Sequence, residues 1–393
     1  MSQQLISRSA DLAQLRTEGY DLDVVSGVLL VRDVPYVGPG GTVVRGTLVK
    51  ALTLSGDVAD YQGDHAIFLA GAAPHDHDGN LMTNLINSSA RTEPAPGVVV
   101  DHLLSNKPAQ GYTDYHDLVS TYVTLLCTDA QVLEPNVTAQ TYPAIRADED
   151  DDSPFLYIDT HSARAGIAAI NAKVKGQRIA IVGLGGTGAF ILDLVAKTWV
   201  SEVHLYDGDV LMQHNAFRYP SAIPIDVIAT KPKKVDHFAA QYAHFRRGVV
   251  PHPYRVDETN VEELATMDFV FVAADDNPSR ALIARRLETA GVAFIDSGIG
   301  LYVSGNAIGG QIATTTSLPG KREHLWDDRK RLPTNIAGED VYDQNVQIVD
   351  LNALAAALAV GRWKRHVGLY VDQQREHYSS YAVDTNDVAN EDH

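Results

Sequence analysis

Cysteine is nearly missing from this chain of 393 residues, which holds only Cys127. One thiol excludes an internal disulfide framework and any zinc site built from several cysteines. Basic charge is short as well, with 32 Lys and Arg against 50 Asp and Glu and a formal net charge of −18. Nucleic acid and anionic membranes both need a basic face, so neither is expected as a partner. Long apolar runs are also wanting. Stretches such as "LNALAAALAV" fall short of the roughly 20 residues that cross a bilayer, and the opening "MSQQLISRSADLAQL" lacks a signal-peptide apolar core. What remains is the composition of a globular protein, expected in the cytoplasm, with 45% hydrophobic and 21% charged residues. The length suffices for two domains, each with its own core.

An acidic stretch, "RADEDDDSP" at 146–154, separates two differently patterned halves and reads as a solvated linker. Before it, residues 1–145 carry short β-branched segments ("GVLLVRDV", "TLVKALTL", "DHAIFLAG") between Gly, Pro and Asp clusters. That is the pattern of a smaller β-rich or α+β domain. After it, over 155–378, apolar strands alternate with helical patterns: "RIAIVGLG", "AFILDLVAKT", "EVHLYDGD", "DFVFVAADD", "SRALIARRLETAG", "VAFIDSG". The rhythm predicts an α/β fold, a Rossmann-like, mostly parallel sheet flanked by helices. Residues 379–393 read as a polar C-terminal tail.

Within that half, "IAIVGLGGTGAFILDL" fits a buried strand, a tight turn and a helix entry, with glycines at 183, 185, 186 and 188. Gly183 permits the turn, Gly185 lets backbone approach a phosphate, and Gly188 lets the helix pack on the sheet. The helix N-terminus offers free N–H groups and a positive dipole end to an anion. Asp207, at the end of the next strand, can bind ribose hydroxyls. Alone, this pattern favours a nicotinamide or flavin dinucleotide, which keeps an NAD(P)-dependent oxidoreductase open as an alternative. The following residues point elsewhere. Asp209, Asn215, Arg218, Lys231, Lys233 and Lys234, then Asp275, Asp276, Asn277 and Arg280, would gather at the carboxyl ends of adjacent strands. Cations beside a ribose, with a carboxylate able to hold Mg²⁺, suit a triphosphate better than a dinucleotide.

"GLGGTG", "DGDV…HNAFR", "KKVDHF" and "AADDNPSR" together resemble the ThiF-like, ubiquitin-activating family of adenylyltransferases, from about 155 to 371. The resemblance implies ATP and Mg²⁺, adenylation of the C-terminal glycine carboxylate of a ubiquitin-like or sulfur-carrier protein, and release of pyrophosphate. It implies Asp207 as ribose ligand, Asn215 and Arg218 as a phosphate-binding pair, Lys234 as the motif lysine and Asp276 as the Mg-associated acid. "DTHSARAGI" makes Arg164 the residue that reaches the partner subunit's ATP in a homodimer. "YDQNVQIVDLNALAAALAVGRWK" resembles the dimer-associated helix after the family's crossover loop. A conjugating enzyme is a further implied partner.

One departure matters. Thioester-forming members carry a cysteine in the crossover loop, and "TTTSLPGKREHLWDDRKRLPTNIAGEDVYDQN" has none. Either reaction stops at the acyl-adenylate or a hydroxyl such as Thr334 takes the acyl group. An inactive scaffold subunit is the non-enzymatic alternative, against which the joint presence of Asp207, Arg218, Lys234 and Asp276 weighs. The first half resembles the uncharacterised domain preceding ThiF-like modules in some bacterial proteins. There "PHDHDGN", with His75, Asp76, His77 and Asp78, invites a metal but reads more simply as a polar turn. Cys127, in "STYVTLLCTD", reads as a buried thiol.

Overall fold

The computed structural model describes residues 2–147, 153–327, 329, 331–332 and 346–392, apart from the side chains of Ser2, Ala163 and Arg164. The chain divides into two compact units, Met1–Asp152 with Tyr157–Arg164, and Ser153–Leu156 with Ala165–His393.

The first unit is α+β. Its sheet comprises β1 (Asp21–Val25), β2 (Val28–Gly38), β3 (Thr42–Ala51), β4 (Ala66–Ala70), β5 (Ile86–Ala95) and β6 (Val98–Ser105), in the order β1-β2-β3-β4-β6-β5 and antiparallel throughout. Helices α1 (Ser2–Arg8), α2 (Ala10–Thr17) and α3 (Tyr115–Leu133) accompany it, with a short helical turn at Thr160–Arg164. Apolar residues of α3 recur at helical spacing (Leu118, Tyr122, Leu126 and Val119, Val123), so one stripe meets Leu29, Val31, Leu48 and Leu69 of the sheet in a single core. Asp114 caps α3 by accepting from Asp117 N.

The second unit holds an eight-stranded sheet, assembled from β7 (Arg178–Val182), β8 (Glu202–Tyr206), β9 (Val249–His252), β10 (Phe269–Val272), β11 (Ala293–Ser304), β12 (Ala307–Ser317), β13 (Tyr378–Ala382) and β14 (Asp387–Glu391). The order is β9-β8-β7-β10-β11-β12-β13-β14. The first five strands are parallel and the remaining pairings antiparallel. Alternation along the strands feeds two cores. Ile179, Ile181, Val203, Leu205, Phe269 and Phe271 face α4 (Gly186–Ala196), α5 (Lys234–Tyr242) and α7 (Val349–His366). Ala180, Val182, Val270 and Val272 face the turn Val261–Thr266 and α6 (Asn277–Ala290). The sheet is thus covered on both sides, as parallel strands require. The expected Rossmann-like sheet flanked by helices, preceded by a smaller β-rich domain, is the architecture observed.

Two boundaries read from the sequence are corrected. Residues 379–393 are not a tail: β13 and β14 form the hairpin that ends the large sheet, pairing Gln311–Thr315 with Tyr378–Ala382. The end of the acidic linker is not solvated either. Ser153 and Pro154 are buried and Phe155 is anchored among Trp199, Phe245 and the Arg246 guanidinium. Backbone bonds Leu156 N to Phe245 O and Arg247 N to Pro154 O fasten the segment. Arg246 is itself buried, donating to the carbonyls of Ala196, Thr198, Val200 and Ser201 just beyond α4. The acidic run 148–152 lies outside the described residues. Among the described residues no helix is long and apolar enough to cross a membrane.

Candidate functional site

The strand order reverses around β7: the chain runs from β7 outward to β8 and β9, then crosses to β10 on the other side. A crevice at the carboxyl ends of the strands is expected at such a switch point. A cleft of about 420 Å³ lies there, and each strand end contributes to it. Val182, Gly183 and Gly185 come from the β7 turn, Tyr206 to Asp209 from the end of β8, and Ala273 to Asp276 from the end of β10. Asn215, Arg218 and Lys234 line the cleft as well.

The glycines divide by role. Gly183 has φ +90°, and a Cβ there would lie 2.7 Å from Ala273 O. Gly185 precedes the first residue of α4 and has open space where its Cβ would stand. Gly186 and Gly188 do not line the cleft. A Cβ on Gly188 would meet Gly183 O at 1.8 Å, and one on Gly186 would meet the Asn352 amide at 2.2 Å. Both glycines serve packing, and Gly185 alone leaves backbone open to a ligand.

Asp207 is buried to within 9% of its side-chain surface and is heavily engaged. Its Oδ2 accepts from Leu184 N (2.7 Å) and faces Lys234 Nζ (3.3 Å), while Oδ1 accepts from Asp209 N (2.8 Å). Lys234, the first residue of α5, is buried and also holds Asp209 Oδ2 at 2.8 Å. That bond, with a second from Arg255, keeps the Asp209 carboxyl below the usual carboxylate range. Asn215 is buried, and its Oδ1 accepts from Met212 N (2.9 Å), which leaves the amide nitrogen as its available donor. Arg218 makes no ion pair among the described residues, and its Nε is buried without a partner. It is the cleft cation not already committed to a carboxylate.

Asp276 caps α6: Oδ2 accepts from Ser279 N (2.9 Å) and from the Ser279 hydroxyl, which lowers its proton affinity. Oδ1 has no partner among the described residues. With the neighbouring Asp275 carboxylate it lines the cleft with oxygen donors of the kind a hard divalent cation takes. Asn277 turns away from this cleft, accepting from Arg280 Nη1 (3.2 Å) and lining a second cavity of about 600 Å³. That cavity adjoins the first through Ala273, Ala274, Asp275 and Gln347, and its far wall includes Ser297, Gly298 and Gly300 of β11.

The sequence reading missed Arg255. It lines the first cleft and bonds Asp209 Oδ1 at 3.1 Å across Gly208, which raises its already high pKa. The side chain of Arg164 and the whole of Thr334 lie outside the described residues. The "PHDHDGN" stretch forms a polar turn. Asp76 Oδ1 accepts from Asp78 N and Asn80 N, and His77 Nδ1 pairs with Asp129 at 2.5 Å. No metal-holding cluster of His, Cys, Asp and Glu occurs among the described residues. Cys127 is buried in the first core, its thiol donating to Pro35 O (3.3 Å) and its pKa pushed up to about 11 by burial.

Residues 163–331 match the ThiF family. Residues 10–160 match a domain of unknown function, DUF6791. The SAMP-activating enzyme E1 of Haloferax volcanii is 33% identical over 118 residues, covering 28% of this chain and 41% of that protein. The chain thus spans about two fifths of the length of this curated relative. Among solved structures, PaaA is similar at 16% identity and TM-score 0.45, over 57% of this chain and 75% of that chain. Escherichia coli MccB with MccA is similar at 15% identity and TM-score 0.47, over 73% and 80%.

Proposed function

We propose that this protein uses ATP to adenylate the C-terminal glycine carboxylate of a ubiquitin-like or sulfur-carrier protein. A carboxylate oxygen attacks the α-phosphorus, a P–O bond forms there, and the bond to the bridging oxygen breaks to release pyrophosphate. No general base is needed, because the attacking carboxylate is already ionised at neutral pH. The task is to bring two anions together, and the cleft is built for it. N–H groups at the start of α4 face phosphate, Arg218 adds an uncommitted cation, and the Asp207–Lys234–Asp209 ring holds the ribose side rigid. Mg²⁺ held by Asp276 and Asp275 would supply further charge screening. Arg218 carries this reading, since a cation left unpaired among four aspartates suits a polyphosphate.

The adjoining cavity, walled by glycines of β11, suits the unbranched tail of the carrier. Transfer onward proceeds without a cysteine thioester, because the chain's one thiol is buried away in the first unit's core. The molecule acts as a homodimer in which Arg164 serves the partner's ATP. Leu351, Leu354 and Leu358 of α7 remain only half-buried, and Phe217 and Ile225 are 77% and 79% exposed, which supports an apolar contact with a second copy. The deciding experiment is calorimetry with ATP-Mg and with NAD, followed by carrier-dependent exchange of pyrophosphate into ATP. Tight NAD binding with none for ATP-Mg ends this reading. Mixed Arg164→Ala and Asp276→Ala subunits should regain activity if the site is composite.

A further inference from the structure

Asn352 is fully buried in the first turn of α7, on an otherwise apolar face that packs against α4. Its Oδ1 accepts from the Thr187 hydroxyl at 3.1 Å, and its Nδ2 has no hydrogen-bond partner among the described residues. The same amide is pressed against Gly186, where a Cβ would lie 2.2 Å from Nδ2 and 2.4 Å from Cγ. Gly186 is therefore a glycine because the Asn352 amide occupies the place of a side chain.

The turn held in this way is the wall common to both cavities. Gly185 lines the first cleft and Thr187 lines the second, so Gly186 stands between them. Its N–H groups are the free donors at the start of α4. A buried amide with an unpaired donor costs stability, a cost that an apolar side chain of similar size would not carry for itself. Packing alone does not account for the asparagine.

We propose that Asn352 is a positioning residue: through Thr187 and Gly186 it fixes the first turn of α4 so that its amides meet the phosphates of the nucleotide. The inference rests on the ATP reading above and adds a requirement to it. A turn released from behind keeps its fold but loses its aim, and displacements of about 1 Å near reacting groups cost up to about 100-fold.

The test is calorimetry on the full chain with ATP-Mg and with adenosine, beside thermal melting, for wild type, Asn352→Leu, Thr187→Val, Thr187→Ser and the Asn352→Leu/Thr187→Val double variant. Asn352→Leu should bind ATP-Mg about tenfold more weakly or worse and bind adenosine as wild type does, while remaining folded in the melt. Thr187→Val should match it, Thr187→Ser should restore affinity, and the double variant should be no worse than either single one. Wild-type affinity for ATP-Mg in Asn352→Leu overturns the proposal. So does a parallel loss of melting temperature and of both ligands, which marks a merely structural role. If Asn352→Leu does not fold, the Thr187 pair decides by the same criteria. A wild-type chain that binds neither ligand overturns the ATP reading itself, a result distinct from these.

Discussion

Lys234 Nζ lies 2.8 Å from Asp209 Oδ2, joining a buried cation to a carboxylate that keeps 47% of its side-chain surface exposed. The pair sets an acid limit on the site. In the folded protein the Asp209 carboxyl gives up its proton more readily than in the unfolded chain. Its stabilisation is therefore complete above the unfolded value of about 3.9 and is lost as pH falls through the lower folded value. Denaturant midpoints measured between neutral pH and pH 3 should fall along this limb in wild type. In Lys234→Met the limb should flatten, with stability already reduced at neutral pH. Breaking a buried pair costs roughly 3–5 kcal/mol, and the exposure of Asp209 puts the loss toward the lower end. An unchanged acid limb in Lys234→Met would show that the pair does not govern it.

Asp276 separates charge from capping. An acid at a strand end that only held a metal would add little to the fold, and Asp276→Ala would then remove activity alone. The bond from Ser279 N to its Oδ2 makes Asp276 the N-cap of α6. Asp276→Ala should therefore cost about 0.5–2 kcal/mol as well as activity. Asparagine caps as well as aspartate, so Asp276→Asn should melt close to wild type while losing pyrophosphate exchange. Retained exchange in Asp276→Asn would remove Asp276 from metal binding.

What could be read in the sequence was what short-range pattern encodes. β7, its glycine turn and α4 are legible because a buried apolar run changes to helical spacing across glycines whose geometry no other residue fits. Asp207 and Asp276 are legible because each follows a strand at the end that opens on the cleft, and Arg218 and Lys234 because they stand in the stretches "HNAFR" and "KKVDHF" that come after β8. Arg255 was not, since "VVPHPYRVD" carries two prolines and gives no strand pattern; β9 exists because β8 supplies its partner. The β13–β14 hairpin was missed for a like reason. Its residues are polar, and only pairing at the sheet edge makes them strands. Asn352 was invisible because its meaning lies in contacts with Gly186 and Thr187, far off in the chain.

Cys127 should prove dispensable for chemistry. Its thiol is buried, donates to Pro35 O, and has a pKa pushed up to about 11, so almost no thiolate exists at neutral pH. Thiol reagents should not label the native protein, and Cys127→Ser should retain carrier adenylation. Enzyme, ATP-Mg and carrier run on a denaturing gel with and without reductant give the check. A carrier adduct cleaved by thiols and lost in Cys127→Ser would restore the thioester.

The glycines of one motif should fail in opposite ways. Gly188 has no room: its Cβ would stand 1.8 Å from Gly183 O, a backbone atom that can move only if α4 moves off the sheet. Such overpacking costs about 1–3 kcal/mol or more, so Gly188→Ala should melt well below wild type and lose ATP binding as a consequence of misplacing α4. Gly185 has room. Its φ of −71° and ψ of −162° suit alanine, and nothing lies within 4 Å of the added Cβ. Gly185→Ala should therefore hold wild-type stability within about 0.5 kcal/mol, as substitutions away from packed contacts do. The space its methyl fills is nonetheless the approach of phosphate to the first N–H groups of α4. Calorimetry should find ATP-Mg binding weakened in Gly185→Ala, with adenosine binding spared because Asp207 and its ring of partners are untouched. Wild-type ATP-Mg affinity in Gly185→Ala, with the fold intact, would mean the phosphates rest elsewhere in the cleft.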